Sequence, residues 1–321
     1  MTIRIGKTKK RKPLTAIVLS LIMPGLGHIY CGKIIEGLLL AFVAVLPLPL
    51  NMFKLSIHHR CHSVTGVVFL GLLLSIFIYL VAIIDSAYKA KQAKPDFALK
   101  DYNRWYAYVL LVLISMGGSM GTAMYVRANY IEAFRVPVAS NYPTIVPNDR
   151  FLANKLAYSS EDPKRGDMVV FINPENRRIN LIKRVVAIAG DTVEIKDSEV
   201  YVNEQQLERQ RLPQSVLDNI KIKVHGKSLE GDVFYEINGD AKYKIFIARP
   251  PHDETSDDFA KITVPEYHCF VLGDNRNLSR DSRHFGPIPL ATIKGRADYL
   301  YWPAKDWSRF GFWRPIWPLS K

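Results

Sequence analysis

Hydrophobic residues are distributed unevenly along this chain of 321 residues. Long apolar stretches lie in the first part of the chain, at residues 14–30, 34–50, 64–84 and 107–126. The third and fourth stretches reach the roughly 20 residues that a helix needs to cross a bilayer. The first is interrupted by Pro24, Gly25 and Gly27. The pattern therefore predicts an α-helical membrane region over residues 1–126 with three or four hydrophobic segments.

After residue 126, the chain changes to short segments in which apolar and polar residues alternate with a period of two. Gly, Pro, Asn and Asp separate these segments, which include DRFLANKLAY, GDMVVFINP and LIKRVVAIAGD. Such alternation between turn-forming residues is typical of β-strands. We therefore predict a mainly antiparallel β domain over residues 127–321. Its more polar middle, at about residues 196–265, is predicted to be an inserted smaller β subdomain.

The chain carries a formal net charge of +13, and the placement of its basic residues indicates a membrane surface rather than nucleic acid. Lys and Arg are concentrated in residues 4–12 and 88–104, which flank apolar stretches. Anionic lipid headgroups attract such basic segments. Because no nucleic-acid recognition motif accompanies the charge, we expect no nucleic-acid partner.

The same basic residues predict the orientation of the membrane region. Cytoplasmic loops carry an excess of Lys and Arg, so the loop at residues 85–104 is predicted to be cytoplasmic. The span at residues 107–126 then leads outward, and the β domain is extracytoplasmic. If the basic amino terminus is also inside, residues 14–30 must re-enter the membrane or lie at its interface. The apolar residues before Pro24 are too few for a full span.

Cysteine and histidine indicate neither a disulfide nor a metal site. Of the three cysteines, only Cys269 lies in the predicted β domain, so no disulfide can form within it. The motif HHRCH at residues 58–62 contains metal-ligand residue types, but its spacing is short and no second ligand cluster accompanies it. We therefore expect no metal and no organic cofactor.

One lysine lies inside a predicted buried strand. Lys183 occurs in the segment NLIKRVVAIAGD, between apolar residues. One interpretation is that its stem covers apolar surface while its amine reaches water. The other is that burial disfavours the charged form and leaves a neutral amine, which can accept a proton near neutral pH. A base of that kind requires a nucleophile.

Ser140 is the candidate nucleophile. It lies just after the last predicted span, between Pro137 and Pro143. These prolines restrict the backbone on both sides, and we expect them to hold the hydroxyl in an extended segment.

Three blocks of sequence occur in a specific order in the predicted β domain. They are Ser140 with Pro143 and Thr144, then RGDMVVF with LIKRVVAIAGD, then GDNRNLSRDSRHFGPIP. With these blocks, residues 133–301 resemble bacterial signal peptidase I, the membrane serine peptidases of the S26 family that use a Ser/Lys dyad. The resemblance implies a β fold of the signal peptidase I type. It also implies acyl transfer that removes signal peptides from exported precursors after an Ala-x-Ala site.

The resemblance also assigns roles to individual residues. Ser140 corresponds to the nucleophile and Lys183 to the general base. Ser279 would hydrogen-bond the lysine amine and orient it. Asp281 and Arg283 would pair and brace the loop around the site. Small apolar pockets for the two alanines of the cleavage signal would be lined by Phe134, Val136 and Ile182.

Two positions depart from the family pattern. The family usually has Met directly after the nucleophile, where this chain has Asn141. Many members have Ser two residues before the nucleophile as a donor to the oxyanion, where this chain has Val138. We therefore expect a weaker or differently built oxyanion hole, formed by the backbone N–H of Ser140. The Asn141 amide is a further candidate donor.

These observations leave three functional hypotheses. The leading one is a multi-pass signal peptidase I in the bacterial inner (plasma) membrane, with its catalytic domain on the periplasmic or outer face. Its expected partners are signal peptides, membrane lipid and the secretion translocon. The alternatives are a specialised S26-type peptidase that matures a pilus or conjugation protein, and a non-catalytic membrane scaffold that binds signal peptides.

The carboxyl-terminal residues 299–321 combine tryptophan with basic residues and proline. The four tryptophans of this segment are Trp302, Trp307, Trp313 and Trp317. The prolines and charges between them argue against a packed strand or helix. We therefore predict an interfacial patch that rests on the bilayer, where Trp is enriched.

Overall fold

The structure is a computed structural model that describes residues 10–45, 62–94, 101–224, 226–249 and 258–312. It divides into two units, a helical unit within residues 1–130 and a β unit within residues 131–321. The order of the elements confirms the predicted fold class, in which amino-terminal helices precede a mainly antiparallel β region.

The helical unit contains five α-helices over its described residues: α1 (Pro13–Ile22), α2 (Leu26–Tyr30), α3 (Ile34–Val45), α4 (His62–Gln92) and α5 (Trp105–Asn129). By length and composition, the Leu70–Gln92 part of α4 and the whole of α5 are able to cross a membrane. The third and fourth apolar stretches of the sequence therefore form long helices. Apart from His62, the HHRCH motif lies outside the described residues.

The first apolar stretch is not one continuous helix. It breaks at Pro24 and Gly25, where Gly25 has a φ of 94° that favours glycine. The ten residues of α1 span about 15 Å, which is half of the roughly 30 Å hydrocarbon core of a bilayer. α1 alone is therefore too short to cross. The helix α2 that follows is buried over its whole length within the helical unit.

The largest sheet of the β unit is antiparallel and has eight strands, in the order β1, β2, β16, β3, β4, β14, β15, with β17 paired to β16. Its strands are β1 (Ile131–Arg135), β2 (Arg150–Asn154), β3 (Met168–Ile172), β4 (Asn180–Ile188), β14 (His268–Leu272), β15 (Ile288–Pro289), β16 (Ile293–Trp302) and β17 (Gly311–Phe312).

Three smaller sheets are described between β4 and β14, and they cover the region predicted to be an insert. One has the order β13, β5, β6, β7, the second β12, β11, β8, and the third β10, β9. Their strands are β5 (Thr192–Lys196), β6 (Glu199–Val202), β7 (Gln205–Gln206), β8 (Glu208–Arg211), β9 (Lys223–Val224), β10 (Lys227–Ser228), β11 (Gly231–Asn238), β12 (Ala241–Ala248) and β13 (Phe259–Thr263).

β4 lies in the interior of the large sheet. It pairs with β3 from Asn180 to Arg184 and with β14 from Arg184 to Ile188. Apolar clusters cover both faces of the strand: Val185 belongs to one cluster, and Val186 to another. A polar side chain on this strand is therefore surrounded by packed apolar residues rather than by water.

Candidate active site

The lysine predicted as a base lies in the middle of β4. Lys183 is opposite Val169 of β3, and only 2% of its surface is exposed. Its amine therefore does not reach water, which excludes the interpretation of a lysine whose stem covers the surface. Instead, Lys183 Nζ lies 2.8 Å from Ser140 Oγ, within hydrogen-bond distance. The fold brings together two side chains that are 43 residues apart in the sequence.

Burial lowers the pKa of the Lys183 amine to about 8, from an ordinary value of 10.5. Asp281 and Asp274 oppose this shift because their negative charges favour the protonated amine, whereas Arg283 adds to it. Each carboxylate has a guanidinium partner of its own. Asp281 accepts hydrogen bonds from Arg283 at 2.9 and 3.0 Å, and Asp274 accepts from Arg184 at 2.7 and 2.6 Å.

Ser140 lies in a turn, so the prediction of an extended segment is wrong. Tyr142 N donates to Ala139 O at 3.1 Å, and Ile145 N donates to Asn141 O at 2.8 Å. The reason is packing on two sides. Tyr142 and Ile145 are both buried, but they belong to different apolar clusters, and the turn directs one side chain into each.

The loop after β14, residues 273–281, is hydrogen-bonded to this turn. Asn275 N donates to Ser140 O at 3.1 Å, and its Nδ2 donates to Ala139 O at 3.1 Å. Gly273 lies so close that a Cβ there would be 2.5 Å from Ser140 O and 2.1 Å from Ser279 Oγ. Only glycine fits at this position, because any other residue would displace the turn.

The two charged residues expected to brace the loop are paired. Besides binding Asp281, Arg283 donates to the carbonyl of Arg276 at 2.7 Å. Asp281 accepts a hydrogen bond from Gly273 N at 2.9 Å and caps the short helix α6 (Ser282–Phe285). The pair therefore ties the beginning of the loop to its end.

Ser279 does not make the hydrogen bond that was expected of it. Its Oγ is buried and has no hydrogen-bond partner among the described residues, Lys183 included. The hydroxyl packs against Gly273, while the Lys183 amine donates to Ser140. In this structure, Ser279 therefore borders the site without orienting the amine.

The two departures from the family pattern have different outcomes. Asn141 is fully buried, and its Nδ2 donates to the carbonyl of Ile182 at 2.7 Å. One of its two N–H donors is thereby used, and the buried side chain is turned toward Ile182. Val138 is 55% exposed and has no side-chain donor. The backbone N–H of Ser140 remains, and no hydrogen bond within the described chain occupies it.

The three residues expected to line substrate pockets belong to one apolar cluster. Val136 and Ile182 are buried members of this cluster, and Phe134 packs against it and stacks on Phe151 at 5.6 Å. The cluster adjoins Lys183, because Ile182 directly precedes it, and the neighbour of Ser140, Asn141, donates to the Ile182 carbonyl. Next to it, residues 180–183 of β4 pair with β3 on one side only, since the pairing with β14 begins at Arg184.

Sequence reasoning missed two contributors to the site. Asn275 supports the turn that contains Ser140, and Arg184 pairs with Asp274; all three residues are nearly completely buried. Arg184 and Asp274 are 90 residues apart. Their signal in the sequence was an Arg in a buried strand and an Asp in a motif without an assigned role.

Comparison with known proteins places these residues in a wider context. Residues 104–302 match the family model described as signal peptidase, peptidase S26. Signal peptidase I of Aquifex aeolicus is 33% identical over 216 residues, which cover 57% of this chain and 80% of the relative. A probable signal peptidase I-2 of Synechocystis is 29% identical over 230 residues, which cover 69% of this chain and 81% of the relative.

Further similar proteins include a plant protein and a solved structure. The chloroplastic thylakoidal processing peptidase 1 of Arabidopsis thaliana is 30% identical over 187 residues, which cover 55% of this chain and 44% of the relative. The crystal structure of a signal peptidase I from Enterococcus faecalis is 28% identical, covers 42% of this chain and 97% of that chain, and has a TM-score of 0.26.

The lowered pKa of Lys183 predicts a pH-dependent effect of Lys183→Met on stability. The unfolded amine has a pKa of 10.5 and the folded one about 8, so charging the buried amine costs the folded state about 3 kcal/mol below pH 8. Between pH 8 and 10.5, the Lys183 amine is neutral in the folded state but still protonated in the unfolded state, so this cost decreases as the pH rises. Lys183→Met should therefore unfold less readily than the wild type at pH 7, with a difference that shrinks toward pH 10.5. Denaturant unfolding of both proteins across this range measures it, and a constant difference would contradict the assigned pKa.

Proposed function

The chain belongs to the S26 family of signal peptidases, and from that premise we propose that it removes signal peptides from exported precursor proteins. In this proposal, Ser140 is the nucleophile and Lys183 is the general base. The observation that carries it is the 2.8 Å contact between Lys183 Nζ and Ser140 Oγ in a water-poor site. Nucleophile and base within hydrogen-bond reach are the signature of nucleophilic catalysis.

The reaction proceeds by acyl transfer. Neutral Lys183 takes the proton of Ser140, whose Oγ attacks the scissile carbonyl carbon and forms a tetrahedral oxyanion. The protonated lysine then gives its proton to the departing amine of the mature protein as the peptide bond breaks. Water, deprotonated by the same lysine, attacks the acyl ester and releases the signal peptide. The free N–H of Ser140 is the donor for the oxyanion, and donors of this kind are worth about 3 to 4 kcal/mol.

The surroundings of the dyad support a peptide substrate with small side chains. Residues 180–183 of β4 have no strand partner on the β14 side, so an extended peptide can add there by strand addition, except at the Ile182 carbonyl, which accepts from Asn141 Nδ2. The cluster that contains Phe134, Val136 and Ile182 forms an apolar wall beside this edge. Small apolar pockets in such a wall fit the alanines of an Ala-x-Ala site.

The helical unit supports a multi-pass location in the bacterial inner (plasma) membrane. α4 and α5 are long and apolar enough to span. Basic residues lie in the last turn of α4, at Lys89 and Lys91, and between the two helices, including Lys94 and Arg104. A cytoplasmic loop at that point has the catalytic domain on the periplasmic or outer face. The secretion translocon stays a predicted partner.

Exposed aromatic residues support membrane lipid as a partner. Trp302 and Trp307 are 54% and 57% exposed with ring centroids 5.4 Å apart, and the exposed Phe310 lies beside Trp307. Part of this segment is nevertheless strand, contrary to the sequence-based expectation, because Trp302 ends β16 and pairs with Arg150 of β2. Trp313 and Trp317 lie outside the described residues.

Removing either member of the dyad should abolish cleavage. Ser140→Ala loses the attacking oxygen and Lys183→Met loses the base, so each should lower kcat on an Ala-x-Ala precursor by on the order of 10⁴-fold or more. The measurement is product formation by the purified full-length chain in detergent or lipid. Ser159→Ala and Lys164→Met change exposed residues of the same types and serve as controls that keep activity. Turnover retained without Ser140 or Lys183 would reject the dyad.

The pH profile should report the lysine. Only the neutral amine accepts the serine proton, so kcat/KM should rise about tenfold per pH unit up to a pKa of about 8 and then level off. A precursor peptide without titratable residues near its cleavage site keeps substrate ionisation out of the profile. A flat profile from pH 6 to 9, or a rise that continues to pH 10.5, would contradict a desolvated base.

The aromatic patch of Trp302, Trp307 and Phe310 predicts a difference between substrates. In vesicle-reconstituted protein, the double variant Trp302→Ala/Trp307→Ala should cleave a membrane-embedded precursor several-fold more slowly, because Trp favours the membrane interface. Cleavage of a short soluble peptide should be unchanged. Tyr267→Ala, which removes an exposed aromatic residue outside the patch, is the matched control. An equal loss on both substrates would show that the patch does not act through lipid.

A further inference from the structure

The hairpin of β11 and β12, in the region predicted to be an insert, is hydrogen-bonded to the loop that supports the nucleophile turn. Phe246 N donates to Asp274 O at 2.8 Å, and Arg276 N donates to Phe246 O at 3.0 Å. Phe246 and Asn275 thereby form a parallel bridge. The loop after β14 therefore runs along β12 as if it were a further strand.

The side chain of Phe246 contacts the nucleophile turn itself. It is fully buried and packs edge-on against Tyr142, with ring centroids 5.0 Å apart and an interplanar angle of 76°. Ala139 and Val146, which flank the turn, belong to the same apolar cluster. Edge-to-face aromatic pairs of this kind are stabilising beyond the area that they bury.

These two contacts converge on Ser140. The backbone of Phe246 holds the loop residues on either side of Asn275, and Asn275 in turn donates to the carbonyls of Ala139 and Ser140. The ring of Phe246 holds Tyr142, two residues after the nucleophile. Phe246 thus acts on the turn in two ways: its backbone bonds the loop that supports the turn, and its ring packs against Tyr142 within the turn.

The same hairpin also pairs with a charged residue of the loop and contacts the neighbour of Lys183. Glu236 of β11 is fully buried and binds Arg276 of the loop through both carboxylate oxygens. Tyr243 of β12 donates to Glu236 at 3.0 Å, and its ring lies 4.5 Å from the guanidinium carbon of Arg184. Arg184 is the neighbour of Lys183 in β4.

We infer that the β11–β12 hairpin is a working part of the active site and that Phe246 is a positioning residue for Ser140. This inference rests on the proposed function, since it assigns a role in the same reaction. Phe246 touches neither substrate nor reacting atoms; it acts through Tyr142 and Asn275. The region predicted to be an insert is therefore needed for the rate of the chemical step as well as for stability.

The test compares Phe246 with a matched residue of the same region. Phe246→Ala and the milder Phe246→Leu are set against Leu207→Ala, because Leu207 is also buried but belongs to the cluster around β5 and β6. All three variants should lower the melting temperature. Assays of the full-length protein are made well below the lowest melting temperature and normalised to the folded fraction.

Phe246→Ala should lower kcat about tenfold or more with KM within about twofold of the wild type, since small displacements of a nucleophile have large effects on rate. Phe246→Leu should lower kcat about threefold, which keeps the test valid if the alanine variant does not fold. Leu207→Ala should keep the wild-type kcat. A kcat loss in the Phe246 variants no larger than in Leu207→Ala, or a change in KM alone, would overturn the inference.

A second readout separates this inference from the proposed function. Carbon-13 NMR of lysine Cε across pH reports the pKa of Lys183 without any substrate. Loosening the turn in Phe246→Ala should admit water and move that pKa upward toward its ordinary value, while Leu207→Ala should leave it in place. If the wild type does not cleave precursors but the pKa moves in this way, the positioning role stands and the proposed substrate fails. If the wild type cleaves and neither kcat nor the pKa responds to Phe246, the positioning role fails alone.

Discussion

The contact between the Lys183 amine and the Ser140 hydroxyl requires a dry interior, and the rest of the β unit is arranged around that requirement. In water, a lysine is almost entirely protonated at neutral pH and accepts no proton. With the pKa lowered to about 8, roughly one tenth of the amine is neutral at pH 7. β4 provides this environment because β3 pairs with it alongside Lys183, β14 continues the sheet from Arg184 onward, and the neighbouring residues Ile182 and Val185 belong to buried apolar clusters. The chemistry of the site thus depends on how the sheet packs.

A dry environment also restricts every other charge near the lysine. An unpaired carboxylate beside Lys183 would restore its proton affinity, and an unpaired buried charge of either sign destabilises a fold by about 3 to 5 kcal/mol. The β unit meets both constraints with buried ion pairs in which each carboxylate has its own guanidinium: Asp274 with Arg184, Asp281 with Arg283, and Glu236 with Arg276. All three pairs include a residue of the loop after β14. That loop therefore pairs the buried charges and supports the turn that contains Ser140.

The features that could be predicted from sequence are those set by local pattern. Period-two alternation predicted the strands, apolar length predicted α4 and α5, and Pro24 with Gly25 marked the break between α1 and α2. The partnership of Ser140 and Lys183 came from resemblance to a family, because no periodicity links residues 43 positions apart. The directions of side chains were not predictable. The Ser279 hydroxyl lies against Gly273 and the Asn141 amide donates to Ile182, and both contacts depend on segments distant in the sequence or on tertiary packing. Trp302 was wrongly excluded from a strand, because pairing with β2 outweighs the local prolines and charges.

Asn141, which departs from the family pattern, has a different packing requirement from the usual Met. A buried Met at this position would need only packing, whereas a buried amide must find partners. Asn141 donates to the Ile182 carbonyl at 2.7 Å, but its Oδ1 has no partner among the described residues. A buried acceptor without a hydrogen bond destabilises the folded state by about 1 to 3 kcal/mol. The bond that is made links the residue after Ser140 to the residue before Lys183. The amide thus tethers the segment that carries Ser140 to the segment that carries Lys183, whereas Val138 only lacks a side-chain donor. In the proposed mechanism, the first change acts on the geometry of Ser140 and Lys183 and the second on the stabilisation of the oxyanion, so the two departures would affect different steps.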